Sequence, residues 1–356
     1  MGLFSKSRPS THVSEDPSAE YAIQVDHLTR EFGSVKAIDD LSFEVRKGEV
    51  LGFLGPNGAG KSTTLRILAG LLPATTGCAR ILGFSVAEAH PDMKKQLGYM
   101  PEMNPLPEEM RVEEYLRFRA NIKEIPKNKR KACIEMAMET CELQHNARKK
   151  IIGTLSKGFR QRVGIADAVL AAPKIVLMDE PTIGLDPHQV LGIRQLIDDM
   201  RGRMTVVLSS HILSEIEKSC DRVLIINNGK RVAQGTSEEL RREFLPHQTL
   251  IVELQKEPDS FQNILAQLHS KAVLKSSMPS ADGFFRYEVE FEGDPPDVTR
   301  LVNHLVKDYQ IPLKSILPEK PGLEDVFLAA TKKAWKVDIP ESHIKIPTKE
   351  HSEEKS

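Results

Sequence analysis

Between Tyr21 and about Glu243, short and nearly continuous apolar runs alternate with amphipathic stretches. The runs "EVLGFLG" (49–55), "KIVLMDEP" (174–181) and "MTVVLSSH" (204–211) each end in small or polar residues. Apolar side chains on both faces followed by a polar end is the pattern of strands buried in a parallel sheet. The stretches between them have helical spacing, which predicts an α/β domain with helices packed on a sheet. From about 105 to 150 the helical spacing carries no strand signal, so a helical insert is expected there. "VLIINNGKRVAQG" (223–235) sets Asn-Gly between two strand-like runs and predicts a hairpin beyond the sheet.

A second unit starts near Thr249, after "FLPHQ". "TLIVELQ" (249–255) reads as a strand, and Phe261, Ile264, Leu265 and Leu268 then share one helix face. "AVLKSSM" (272–278) is a second strand and "FFRYEVEF" a third, with Phe285, Tyr287, Val289 and Phe291 on one side. Val298, Leu301, Val302 and Leu305 mark a second helix, and "LKSILPE" a last strand. The order β-α-β-β-α-β is that of the ferredoxin-like split unit, a small α+β domain over 249–331. Residues 1–20 and 332–356 are charged, broken by Pro and aperiodic, and read as disordered tails.

Charge and composition narrow the classes. Lys plus Arg (49) balances Asp plus Glu (50), so no basic field points to nucleic acid. Cys78, Cys133, Cys141 and Cys220 lie far apart with no CxxC pair, which fits thiols of a reducing compartment better than zinc. No apolar run reaches the roughly 18–20 residues that span a bilayer. The opening lacks a signal-peptide core, and Lys6 stands where a myristoylation motif needs Ser or Thr. A soluble, cytoplasmic chain is expected.

The chemistry concentrates at "FLGPNGAGKST" (53–63), where three glycines fall within six positions. Glycine inside a regular element costs roughly 0.5–1 kcal/mol against alanine, so this clustering needs a reason. Gly55, Gly60, Lys61 and Ser62 satisfy G-x-x-x-x-G-K-[ST], between an apolar strand and a helix. The loop of Gly55, Pro56, Asn57, Gly58, Ala59 and Gly60 would aim several backbone N–H groups, from every member except Pro56, into one anion-binding hollow. The helix from Lys61, with Thr63 in its first turn, adds its positive dipole end. Lys61 supplies a full charge to β- and γ-phosphates, and the Ser62 hydroxyl suits Mg²⁺. Asp179 and Glu180 close the apolar run at 174–181. Asp179 is placed to hold Mg²⁺ through water, Glu180 to act as general base on the attacking water. His211 ends a further apolar run, where a lone histidine is more often structural than catalytic.

Beside the P-loop stand "GYMPE" (98–102), "LSKGFRQR" (155–162), "LMDEPTIGLDP" (177–187) and "SSH" (209–211), in that order. Residues 21–243 thereby resemble the ATP-binding subunit of an ABC transporter. The unit ending in "GLEDVFLAAT" (322–331) resembles the tail of drug-resistance and gliding-motility-type ATPases, which pair with a separate multispan permease. The resemblance implies an ABC-type P-loop domain with a helical insert. It implies ATP as substrate with Mg²⁺, and a role in powering transport, most readily export. It also implies a homodimer, or a heterodimer with a sister ATPase, lying on the inner face of the membrane through its permease. Position by position, it assigns Phe32 to adenine stacking, and Ser156 and Gly158 to the signature loop facing a partner's γ-phosphate. It makes Asp186 the D-loop residue and His211 the γ-phosphate sensor. Three positions depart from the common pattern: Lys157 and Phe159 in the signature, and Glu102 where a glutamine is usual. A carboxylate at 102 can ligate Mg²⁺ or accept from water, but cannot donate as an amide does. A soluble nucleotide switch on ribosomes or DNA is the alternative, disfavoured by the single P-loop and the lack of a heptad run. A small-molecule kinase leaves "LSKGFRQR" unexplained.

Overall fold

The computed structural model describes residues 20–335 except 146, 246, 269–271, 293–297 and 320; of the tails expected at 1–20 and 332–356, residues 1–19 and 336–356 lie outside the described residues. The chain opens with β1 (Tyr21–Phe32) and β2 (Val35–Arg46), then β3 (Val50–Leu54) and α1 (Lys61–Leu68). β4 (Thr76–Ile81), β5 (Phe84–Ser85), α2 (Pro91–Lys95) and β6 (Leu97–Met100) follow. Helices α3 (Val112–Ile122) and α4 (Lys127–Thr140) form the insert. Then come α5 (Lys157–Val169), β7 (Ile175–Asp179), α6 (Pro187–Met200), β8 (Thr205–Ser210) and α7 (Leu213–Ser219). β9 (Arg222–Asn227), β10 (Lys230–Gly235) and α8 (Ser237–Phe244) end this unit.

The apolar runs form the sheet β10-β9-β3-β8-β7-β6, parallel except for the β9/β10 hairpin. The hairpin turns at Asn228 and Gly229, both at positive φ, as a tight Asn-Gly turn requires. Each parallel strand feeds two cores. Val50, Leu54, Val176, Met178, Val206 and Leu208 face the helical insert, while Leu51, Phe53, Ile175, Leu177 and Val207 face the other way. What covers that second face was not evident from the pattern. It is an antiparallel sheet, β2-β1-β4-β5, whose Phe43 meets Phe53 edge-on with ring centroids 5.2 Å apart. Its strands are irregular, with register shifts along the β1/β2 pairing, and such bulges blur the period of two.

The second unit comprises β11 (His247–Leu254), α9 (Pro258–Leu268), β12 (Ala272–Pro279), β13 (Phe285–Glu292), α10 (Val298–Asn303) and β14 (Leu313–Glu319). Its strands pair antiparallel in the order β12-β13-β11-β14, the order that β-α-β-β-α-β connectivity produces. Leu250, Val252, Phe261, Tyr287, Val289 and Phe291 build a core separate from the first unit's.

The last helix departs from the expected boundaries. α11 (Leu323–Trp335) continues to Trp335, past the tail expected from 332, and does not join the second core. Leu323 and Val326, at most 1% exposed, belong instead to the first unit's core, with Phe327 packed against it. Arg241 on α8 donates to the Pro321 carbonyl at 2.7 Å and pairs with Glu217 on α7. By packing, the helix placed in the unit 249–331 therefore belongs to the nucleotide unit. Leu323→Ala is expected to destabilise that unit by about 2–5 kcal/mol, the range for truncating a buried leucine. The midpoint of chemical unfolding, followed by a nucleotide-unit probe, checks it; an unchanged midpoint would remove α11 from that core.

Candidate active site

Three neighbouring strand ends converge. In register, Leu54 of β3 pairs with Ser210 of β8, and Ser209 of β8 with Asp179 of β7. The C-terminal edge of a parallel sheet is where open α/β folds gather ligands, and each strand here ends in its chemistry-bearing residues. Residues 55–60 leave β3 and enter α1 through Gly60, which sits at φ 105 as N-cap with no side chain capping it. A Cβ at Gly60 would lie 2.6 Å from the Ala37 carbonyl oxygen, and one at Gly55 only 2.2 Å from that of Ile226. Only glycine lets the loop close here. Ala59 N–H bonds the Pro56 carbonyl at 3.1 Å and Ala59 O takes the Gly229 N–H at 3.0 Å, which anchors the loop to the hairpin. The first N–H groups of α1 have no intrahelical partner, and with no side-chain cap they stay open to an anion.

Lys61, 5% exposed, lies across this loop. Its Nζ donates to the Gly55 carbonyl at 2.7 Å and to that of Pro56 at 3.3 Å, and stands 3.6 Å from Glu180 Oε1. Glu180, also 5% exposed, meets His211 Nδ1 through Oε2 at 2.9 Å. An ionised carboxylate only accepts, so Nδ1 carries the proton of this bond. Asp179, fully buried, accepts on Oδ1 from Ser62 Oγ (3.0 Å) and Ser209 Oγ (2.7 Å). Its Oδ2 is buried with no protein partner. Burial, and next the nearby Asp179 carboxylate, push the Tyr99 phenol above its ordinary value.

The structure thus joins Lys61, Ser62, Asp179, Glu180 and His211 in one connected group. Ser209 completes it, because its hydroxyl also accepts the Glu180 N–H at 2.9 Å. In the sequence Ser209 stands out only as part of "SSH", one of two adjacent hydroxyls that close an apolar run. Thr63 lies in the first turn of α1, while Asn57 and Gly58 lie exposed at the loop tip.

The other candidates lie apart. Ser156 caps α5, accepting the Phe159 N–H at 3.4 Å, and Asp186 caps α6, accepting that of Gln189 at 3.0 Å. Gly158 packs against Gln189, and Ser156, Gly158, His188 and Gln189 line one groove that no described P-loop residue enters. Phe32, 47% exposed at the end of β1, carries the Arg30 guanidinium 4.5 Å above its ring. Glu102 is exposed beyond β6 and bonds neither Ser62 nor Asp179.

A glycine loop between strand and helix, a lysine in its mouth, and two carboxylates at the end of the next strand but one define a P-loop ATPase. A profile described as "ABC transporter" matches residues 38–183. The bacitracin transport ATP-binding protein BcrA of Bacillus licheniformis is 38% identical over 222 residues, 62% of this chain and 71% of its own length. The linearmycin resistance ATP-binding protein LnrL of Bacillus subtilis is 32% identical over 61% of this chain and 70% of its own. A solved ATP-binding subunit of an ABC transporter is 30% identical with a TM-score of 0.57, covering 63% of this chain and 93% of that one. The chain belongs to the ABC transporter ATP-binding proteins, and its activity is ATP hydrolysis.

Proposed function

We propose that this chain binds Mg-ATP at the P-loop and hydrolyses it to drive export by a separate membrane permease. The observation that carries the reading is the connected group in which Lys61 and His211 flank Glu180 while Ser62 and Asp179 meet beside it. Glu180 serves as general base, Lys61 as the phosphate cation and His211 as the residue that orients Glu180 and senses the terminal phosphate. The buried, unpartnered Asp179 Oδ2 fits a cation, and the sparse donor set suits Mg²⁺, which keeps most of its waters. Ser62 and Asp179 would hold it, and when bound it would neutralise charge on the phosphates. Phe32, exposed and backed by Arg30, offers a face for adenine.

The permease reading draws on the names of the relatives, which act in bacitracin transport and linearmycin resistance. No helix among the described residues is long and apolar enough to cross a membrane, so the pore would come from another chain. A groove of about 730 Å³ beside the exposed Glu102 is lined by Leu71, Tyr99, Pro105, Tyr115 and Phe118. Leu71 and Phe118 are among the exposed apolar side chains, which suits contact with a permease.

Ser156 and Gly158 stand in a groove without P-loop residues, so their γ-phosphate would come from a second subunit. The pair would be isologous, each chain giving a P-loop to one site and a signature loop to the other. Mixing Lys61→Ala with Ser156→Arg chains tests this. Each variant alone should be inactive, and mixtures should regain activity through one intact composite site per heterodimer. Mixtures no more active than the parents, with heterodimers demonstrated, would refute sites shared between subunits.

A further inference from the structure

A third carboxylate stands behind the Glu180–His211 pair. Glu215, in the first turn of α7, is 9% exposed. Its Oε2 accepts a hydrogen bond from Thr182 Oγ1 and a second from Ser210 Oγ at 3.4 Å. Thr182 lies two residues beyond Glu180, and Ser210 one residue before His211. Ser210 Oγ in turn accepts the Ile212 N–H at 3.0 Å, which closes a short turn around His211. One buried oxygen therefore ties the loop bearing the carboxylate to the loop bearing the imidazole.

We propose that Glu215 is a positioning residue for hydrolysis, which sets Glu180 against His211 through Thr182 and Ser210. The proposal rests on the reading of Glu180 as general base. Glu180 adopts φ 49, a left-handed conformation unusual for a residue other than glycine. Such a backbone persists only where its surroundings over-determine it. On one side the Glu180 N–H is bound by Ser209; on the other, two residues along, Thr182 is bound by Glu215. The carboxylate can only accept, so both hydroxyls are fixed as donors, and bonds to an ionised oxygen are the stronger kind. A favourable helix dipole would also place an acid in the first turn, but that role is met by an exposed side chain. Glu215 is buried, where a carboxylate carries a desolvation cost that its bonds to the two site loops account for.

Steady-state ATPase kinetics of the full chain, with equilibrium Mg-ATP binding and thermal midpoints, test the proposal. Glu215→Ala is expected to lower kcat on the order of 10–100-fold with KM and Mg-ATP affinity within about threefold, as small misplacement of reacting groups does. Glu215→Gln keeps a carbonyl oxygen able to accept both hydroxyls and should recover most of kcat. Thr182→Val keeps the shape and removes one donor; it should reproduce the loss. Combined with Glu215→Ala it should add little, because both act through one bond. Wild-type kcat in Thr182→Val and Glu215→Ala, or a Gln variant as slow as the Ala variant, would overturn the proposal. Should Glu215→Ala not fold, Thr182→Val decides alone. Glu180→Gln assayed in parallel separates the two readings: if it too turns over normally, the assignment of the base fails rather than the clamp.

Discussion

Glu180→Gln is expected to bind Mg-ATP with near-normal affinity and to hydrolyse it roughly 10²–10⁴-fold more slowly, the range for losing a general base. Glutamine keeps the side-chain length and one carbonyl oxygen, so it should still accept from His211 Nδ1, which in the wild-type chain lies 2.9 Å from Glu180 Oε2. What it would lack is a basic oxygen to take a proton from water. The buried charge of Glu180 also balances Lys61 at 3.6 Å, and its removal frees the ammonium for phosphate oxygens. Binding should therefore hold or tighten while kcat falls, the signature of an interaction used in the transition state. Uncleaved nucleotide should in addition hold two chains together. Single-turnover hydrolysis with size-exclusion chromatography in Mg-ATP reads both. Near-normal turnover would remove Glu180 from the chemistry, and a monomer at saturating ATP would remove the isologous dimer.

Much of this site was legible because its chemistry sits at the ends of strands whose apolar runs are unbroken. The runs through Leu54, Asp179 and Ser210 mark the buried parallel strands, and any polar residue that closes one faces the common edge. Gly55 and Gly60 were readable for a similar reason, since only close backbone approach explains their clustering. Legibility failed where contact depends on pairing distant segments. The antiparallel sheet over Leu51 and Phe53 is built of bulged strands with no clean alternation. Leu323 and Val326 show a helix face, but nothing local says which core receives it, and nearness in sequence favoured the wrong one. Glu215 reads as an ordinary acid in a helix's first turn; its burial and its bonds to Thr182 and Ser210 exist only once three segments meet.

Lys61→Met removes the charge and keeps the aliphatic stem, and it should weaken Mg-ATP binding on the order of 10²–10⁴-fold. Hydrogen bonds to charged groups contribute about 1.5–3 kcal/mol each, and Lys61 has at least two donors to give to phosphate oxygens. At present those donors are spent on the Gly55 and Pro56 carbonyls, at 2.7 and 3.3 Å. These carbonyls belong to the same loop that would wrap the phosphates, so the ammonium needs only a short swing to exchange one set of oxygens for the other. The backbone N–H groups of the loop and the dipole of α1 remain in the variant, which is why some affinity for nucleotide should survive. The substitution also takes the ammonium away from the buried Glu180 and leaves it the hydrogen bond with His211. Equilibrium binding of a fluorescent ATP analogue measures the loss, with the thermal midpoint as a check on folding. Because ADP lacks the γ-phosphate that takes part of the charge, its binding should fall by less than that of ATP. Equal losses for the two nucleotides in a folded variant would place Lys61 away from the terminal phosphates, and unchanged affinity for both would take it out of the site.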